Sequence, residues 1–208
     1  MSEFTPMMKQ YLEVKSNYND CIIFYRLGDF YEMFFDDAKV VSKILDLALT
    51  KRDCGGGKTA PMCGIPHHVV KPYLYKLVSE GFKVAICEQV QDPKLAKGIV
   101  KREVIKLVTP GTIDEFDELA DNKNNYIMSI YMDSTNLSIT YSDISTSEIF
   151  CTSIFEMNRD NLITILEEEV IRINPSEVII NSNILKSLEK SLIKLFKNLR
   201  IIHTKVDI

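Results

Sequence analysis

Two short apolar and aromatic runs, Cys21-Ile22-Ile23-Phe24-Tyr25-Arg26 and Phe30-Tyr31-Glu32-Met33-Phe34-Phe35, flank Leu27-Gly28-Asp29. Glycine followed by aspartate between such runs is a turn signal, because a residue without a Cβ reaches positive φ freely. The segment therefore reads as two strands joined at Gly28, which commits this part of the chain to a sheet. Side chains alternate along a strand, so Phe30, Glu32 and Phe34 point one way and Tyr31, Met33 and Phe35 the other. An acid between two phenyl rings makes a poor core face. Either the hairpin end projects to solvent, or the ring at its tip is offered to something flat on which it can stack.

The elements around this hairpin follow from spacing. Thr5-Pro6 is a helix start, hydroxyl at the N-cap and proline at the first helical position, and a helix of about three turns follows. Asp36-Asp37 places negative charge at a second helix N-terminus, with Val40, Val41, Ile44, Leu45 and Ala48 recurring at helical spacing up to Thr50-Lys51-Arg52. Gly55-Gly56-Gly57, Pro61, Gly64 and Pro66 mark residues 53–68 as loop. A third helix spans about Val69 to Glu80 and stops at Gly81. Phe82 to Val90 and Lys101 to Thr109 read as strands, the second closed by Pro110-Gly111, giving a small mixed α/β domain.

The texture changes after the polar run Asp114 to Asn125. Tyr126 to Met132, Leu137 to Ile144 and Glu148 to Phe155 are strand candidates. Helical periodicity over Asn161 to Ile171 and Ser182 to Leu199 then brackets Glu177-Val178-Ile179-Ile180, a short apolar strand expected to add in parallel. With a further strand at Ile201-Ile202, this is a second α/β domain, expected to be incomplete at Ile208. The domains are thus residues 1–113 and 126–208, joined by a linker over 114–125.

Charge divides at the same place: residues 1–113 hold 16 Lys and Arg against 13 Asp and Glu, whereas 114–208 hold 9 against 16. A polyanion meets the first part more readily than the second. No apolar run approaches the roughly 18 to 20 residues that cross a bilayer, and the N-terminus has no secretion signal, so no membrane role is expected. Five cysteines at irregular spacing point to reduced thiols and a cytoplasmic protein.

Few chemical motifs stand out. Gly57-Lys58-Thr59 resembles the end of a phosphate loop, but Arg52 stands where that pattern needs its first glycine. Cys54, Cys63, His67 and His68 lack the paired C-x2-C clip of a strong zinc site, and no metal site is assigned. Asp133, Asp143 and Glu148 at strand ends allow a magnesium-dependent nuclease reading, with turn chemistry as the plainer account. Lys51, Arg52, Lys58 and Lys71, then Lys97, Lys101, Arg102 and Lys106, could hold phosphates on one face while a ring reads the groove, or be a solvated surface.

Several blocks taken together carry a specific resemblance: Thr5-Pro6-Met7-Met8-Lys9-Gln10-Tyr11, Phe24-Tyr25-Arg26-Leu27-Gly28-Asp29-Phe30-Tyr31-Glu32-Met33-Phe34, Leu49-Thr50-Lys51-Arg52, Pro61-Met62-Cys63-Gly64-Ile65-Pro66-His67-His68, Val84-Ala85-Ile86-Cys87-Glu88-Gln89 and Val108-Thr109-Pro110-Gly111-Thr112. In this order they resemble the N-terminal part of the MutS family of DNA mismatch-recognition proteins. The likeness is strong over residues 5–113, as the mismatch-binding domain, and looser over 122–208, as the start of a connector domain similar to ribonuclease H in fold.

The resemblance implies that Phe30 inserts from the minor groove and stacks on a mispaired base, that Glu32 hydrogen-bonds that base, and that Arg52 lies near the DNA backbone. Lys51 and Lys58 are carried as further DNA contacts. The expected partner is double-stranded DNA with mismatches or small loops. The family's ATPase, with its ATP and magnesium, is expected after Ile208, so this chain is expected to be no enzyme and to hold no cofactor. A homodimer and a MutL-type partner are expected of the full-length protein. Two rivals remain open: a ribonuclease H-like metal-dependent nuclease in residues 126–208, and a protein-interaction module whose hairpin aromatics pack on a partner.

Overall fold

A computed structural model describes residues 4–91, 98–113, 124–133, 136–155, 158–184 and 186–207. The chain divides into two compact units, Met1–Thr109 and Pro110–Ile208. Most of the expected linker, residues 114–123, lies outside the described residues, as does Lys97.

In the first unit, α1 (Pro6–Asn17) starts as its sequence dictates: Met8 N–H donates to Thr5 Oγ1 at 3.3 Å. Strands β1 (Cys21–Leu27) and β2 (Phe30–Phe34) form the hairpin, with Gly28 at φ 58° in its turn. Helix α2 (Phe35–Ile44) begins one residue earlier and ends sooner than its apolar spacing suggested, leaving Ala48 exposed beyond it. Its buried Asp37 accepts from Lys15 Nζ at 2.8 Å and from the Ile23 N–H at 3.1 Å, which locks α1, α2 and β1 together.

The glycine- and proline-marked region is not a loop. It is a second hairpin, β3 (Thr50–Gly55) and β4 (Lys58–Pro66), turning through Gly56 and Gly57 at φ 59° and 72°. Proline cannot donate to a ladder and is confined to positions where one side of its strand is unpaired. That condition holds here: β4 pairs with β2 from Met62 to Pro66 and with β3 from Lys58 to Met62. Pro61 therefore faces only β3, and Pro66 only β2.

A 3₁₀ turn (His67–Val69) leads into α3 (Val70–Ser79), capped at Glu80 and followed by Gly81 at φ 89°. Strands β5 (Lys83–Gln89) and β6 (Arg102–Val108) complete a six-stranded mixed sheet of order β3-β4-β2-β1-β5-β6, with β1 and β5 parallel. One face packs Cys21, Ile23, Tyr25, Phe34, Cys54 and Ala60 against Met8 and Tyr11 of α1. The opposite face contributes Phe24, Tyr31, Met33, Cys63 and Ile65 to the core beside α2 and α3. Burial raises the Cys63 and Cys87 thiols to about 12, so neither offers a thiolate near neutral pH.

The second unit holds β7 (Tyr126–Met132), β8 (Leu137–Asp143) and β9 (Glu148–Ile154) as an antiparallel meander. Helix α4 (Arg159–Ile173), β10 (Glu177–Asn181), α5 (Lys186–Leu199) and β11 (Ile202–Val206) follow. The sheet order is β11-β10-β7-β8-β9, with β10 parallel to both neighbours as its placement after a helix requires. Leu166 and Val170 of α4, and Leu192 and Phe196 of α5, pack on Met128, Ile130, Ile139 and Val178. Both units are therefore α/β with mixed sheets. Among the described residues no helix is long and apolar enough to cross a membrane.

Candidate nucleic-acid interface

The face that α1 covers is only partly a core face. Along β2, Phe34 is fully buried and meets the Tyr11 ring edge-on at 4.9 Å, while Phe30 is 46% exposed and Glu32 half-buried between them. Helix α1 reaches the Phe34 end and leaves the hairpin tip open. The acid stands at the edge of the core rather than inside it, which resolves the awkward pattern of an acid between two phenyl rings.

Phe30 is an exposed ring on a firmly held backbone. Its β2 neighbour Tyr31 turns to the opposite face, is 6% exposed, and donates its hydroxyl to Glu88 Oε1. Arg26 lies over the Tyr31 ring at 5.7 Å and reaches Glu88 at 3.5 Å. Burial first, and then the Glu88 carboxylate, raise the Tyr31 hydroxyl to about 12, so it remains a donor. At the turn, the Asp29 carbonyl accepts from the His67 N–H at 2.8 Å and lies 3.1 Å from His67 Nδ1. A carbonyl can only accept, so that ring nitrogen carries the proton.

Across the sheet, Glu32 pairs with Tyr25 on one side and Gly64 on the other. Arg52 pairs with Ala60, four residues from Gly64 along β4, so alternation puts Arg52 on the Phe30 and Glu32 side. The two charged groups meet there: Arg52 Nη1 donates to the Glu32 oxygens at 2.8 and 2.6 Å. Gly64 lies beneath both side chains and leaves the floor bare, where a Cβ would make ordinary contact with Glu32 Cγ and Phe30 Cδ1 at 3.7 Å.

The structure thus gathers Phe30, Glu32 and Arg52. Lys51 is exposed and alternates to the other face of the edge strand β3, while Lys58 is exposed at the β3–β4 turn. Arg102 is not an open cation. It is 8% exposed, donates from Nε to Arg26 O at 2.7 Å and from Nη1 to Val100 O at 2.9 Å and Gln10 Oε1 at 3.1 Å, and covers the Tyr25 ring at 5.2 Å. Its guanidinium holds the sheet together and cannot serve a phosphate. The Glu32–Arg52 pair and the His67 anchor are not legible in the sequence. Opposite charges on strands two apart signal such a pair only once residues 50–66 are paired as strands.

The other candidate sites disperse. Gly57-Lys58-Thr59 is the exit of a hairpin turn and runs on into β4, not into the helix that follows a phosphate loop. Cys54 packs with α1 on one face and Cys63 lies 3.5 Å from Ala38 O of α2 on the other, so the two cannot share a zinc. In the second unit, Asp143 faces Glu148 at one end of the sheet, whereas Asp133 follows Met132 at the far end of β7, about 20 Å away at strand rise. Asp143 instead builds its turn: it accepts from Ser145 N–H at 2.8 Å, Ser145 Oγ at 2.7 Å and Asn125 N–H at 2.9 Å. Burial pushes its carboxyl up, but these bonds outweigh burial and leave it below the usual value. Among the described residues no group of three His, Cys, Asp or Glu side chains converges as metal ligands.

The family model for MutS domain I matches residues 5–117, and that for MutS domain II matches residues 125–206. The DNA mismatch repair protein MutS of Clostridium tetani (strain Massachusetts / E88) is 50% identical over 196 residues, covering 94% of this chain and 21% of that protein. That of Clostridioides difficile (strain 630) is 55% identical over 181 residues, 87% of this chain and 18% of that protein. The chain spans about a fifth of the length of these relatives. A solved T. thermophilus RuvC in complex with Holliday junction substrate aligns with a TM-score of 0.32 at 8% identity, over 40% of this chain and 66% of that one, too low to carry an argument.

Proposed function

The chain belongs to the MutS family, matching its domains I and II, and on that premise we propose that it is the N-terminal part of a DNA mismatch repair protein that reads mispaired or unpaired bases by inserting the Phe30 ring from the minor groove. The observation that carries this reading is the exposure of one phenyl ring, 46%, on a strand whose Tyr31, Met33 and Phe34 are all buried. A wedge must be open to its target while its backbone is fixed, and the Glu88 and His67 contacts fix it.

Prising a base step apart costs a few kcal/mol, and a mispair has already lost part of that stacking, so the kink forms more easily there. Discrimination then arises largely from how readily the duplex deforms. Glu32 adds a second filter. A carboxylate among phosphates is unfavourable unless it finds a base N–H, which a displaced base supplies and an intact pair does not. Lys51 and Lys58 contribute phosphate attraction that ignores sequence. Residues 1–113 act as the recognition domain and 126–208 as a connector with a ribonuclease H-like fold. ATP with magnesium, self-association and a MutL-type partner belong to the full-length protein in this proposal, and no residue here is assigned to them.

The test is a titration of mismatched and matched duplexes of the same length, at several salt concentrations, with the unaltered chain and with Phe30→Ala. The unaltered chain is expected to prefer the mispair, and the variant to keep only weak, salt-sensitive binding equal for both duplexes. A variant that still prefers the mispair refutes the wedge.

A further inference from the structure

The Glu32–Arg52 pair gives Arg52 a role other than a sequence-blind phosphate contact, provided that Phe30 and Glu32 act as proposed above. The Glu32 side chain is 12% exposed and that of Arg52 37%, so the acid is the more enclosed partner. Its cross-strand neighbour Gly64 has no side chain to hold it. Arg52 Nη1, bonded to both carboxylate oxygens at 2.8 and 2.6 Å, is the group that fixes its direction.

The chemistry of the contact leaves room for a base. An ionised carboxylate accepts at about four lone-pair sites, and Nη1 occupies one on each oxygen, so each oxygen retains a site for a base N–H. The guanidinium also keeps donors in reserve, because Arg52 Nε and Nη2 make no hydrogen bond among the described residues. A planar fork presents its free edge away from the bound carboxylate, which is where a backbone phosphate of a docked duplex can be met.

We propose that Arg52 is a positioning residue for mismatch discrimination: it holds the Glu32 carboxylate beside the inserting ring, offsets its charge as phosphates approach, and leaves a lone pair open to the displaced base. Removing Arg52 then harms recognition through Glu32. The carboxylate is freed to turn and becomes an uncompensated negative charge on the docking face, so the contact specific to the mispair is the one that suffers.

A double-mutant cycle tests this, using the 208-residue chain, its Arg52→Ala, Glu32→Ala and doubly substituted forms, and mismatched and matched duplexes at one low salt concentration. The readout is the ratio of the two affinities, with urea unfolding of each variant to show that it folds. Arg52→Ala is expected to lower the ratio about tenfold in the presence of Glu32, within the range seen for coupled neighbours, and to leave it unchanged when residue 32 is alanine. Equal weakening of both duplexes by Arg52→Ala, whichever residue stands at 32, overturns the proposal and returns Arg52 to plain phosphate binding. Phe30→Ala in the same series separates the two levels. If it abolishes the preference while Arg52→Ala leaves the ratio intact, only the positioning role falls. If Phe30→Ala leaves the ratio intact, or the unaltered chain shows no preference, the proposed function and this inference fall together.

Discussion

Phe30 and Phe34 share a strand and a face and lie four residues apart, so truncating each to alanine separates folding from recognition. Phe34 is fully buried against Tyr11. Deleting a buried phenyl ring and leaving its cavity costs about 3–5 kcal/mol, a large part of the roughly 5–15 kcal/mol that holds a domain folded. Phe30 keeps 46% of its surface in water. Complete burial of such a side chain is worth about 1.5–3 kcal/mol, so its half-burial contributes roughly 1 kcal/mol. Stacking on a base is worth about 1–3 kcal/mol, equivalent to a loss of roughly 5- to 150-fold in affinity for the mispair. Urea unfolding followed by far-UV circular dichroism, run beside the duplex titration, reads both quantities. Phe30→Ala should unfold near the midpoint of the unaltered chain and lose its preference, and Phe34→Ala should unfold far earlier. Should Phe30→Ala destabilise the fold as much as Phe34→Ala, the ring is a core residue and the reasoning fails.

Further outcomes follow from other contacts. Arg102→Met keeps a long unbranched chain but strips a donor from three part-buried acceptors, and should destabilise the first unit by about 1–3 kcal/mol while leaving the salt slope of DNA binding unchanged; a slope reduced by about one would mark it as a phosphate contact instead. Tyr31→Phe keeps the ring packed on Phe24 and loses the bond to Glu88, for a cost of about 1–2 kcal/mol in urea unfolding. Asp143 has its carboxyl lowered on folding, so the unfolded chain binds its proton more readily, and the stability it contributes is complete above the ordinary carboxylate value of about 3.9 and lost as pH falls through its lower folded value. Asp143→Asn should flatten the acid limb of the second unit's stability curve there, and an unchanged limb would show that the turn does not depend on the charge.

What the sequence made legible, and what it did not, has one physical dividing line. Elements whose signal lies within a few residues are readable: the Thr5 cap, the turn at Gly28, and the apolar periods of β5 to β8, α4 and β10 each appear where their residues put them. The β3–β4 hairpin was hidden because glycine and proline punctuate loops and hairpins alike. What distinguishes the two is pairing, and Pro61 and Pro66 are tolerable only because each faces a single neighbouring strand. The same ambiguity reaches the site. With residues 53–68 taken as loop, Arg52 stands alone and can be given only a phosphate, while Glu32 is given only a base. Restoring β4 between them shows that β2 and β3 are two strands apart, with the bare Gly64 backbone between Glu32 and the rest of the hairpin. The separation spans the reach of one arginine. Two contacts that look independent along the chain become one charge pair, and in the proposed reading a duplex on this face meets its net neutral charge rather than an isolated acid. Under the proposal Arg52 acts on selectivity rather than on affinity alone, which is why the ratio of two affinities, and not either affinity alone, is the quantity in which its loss should register.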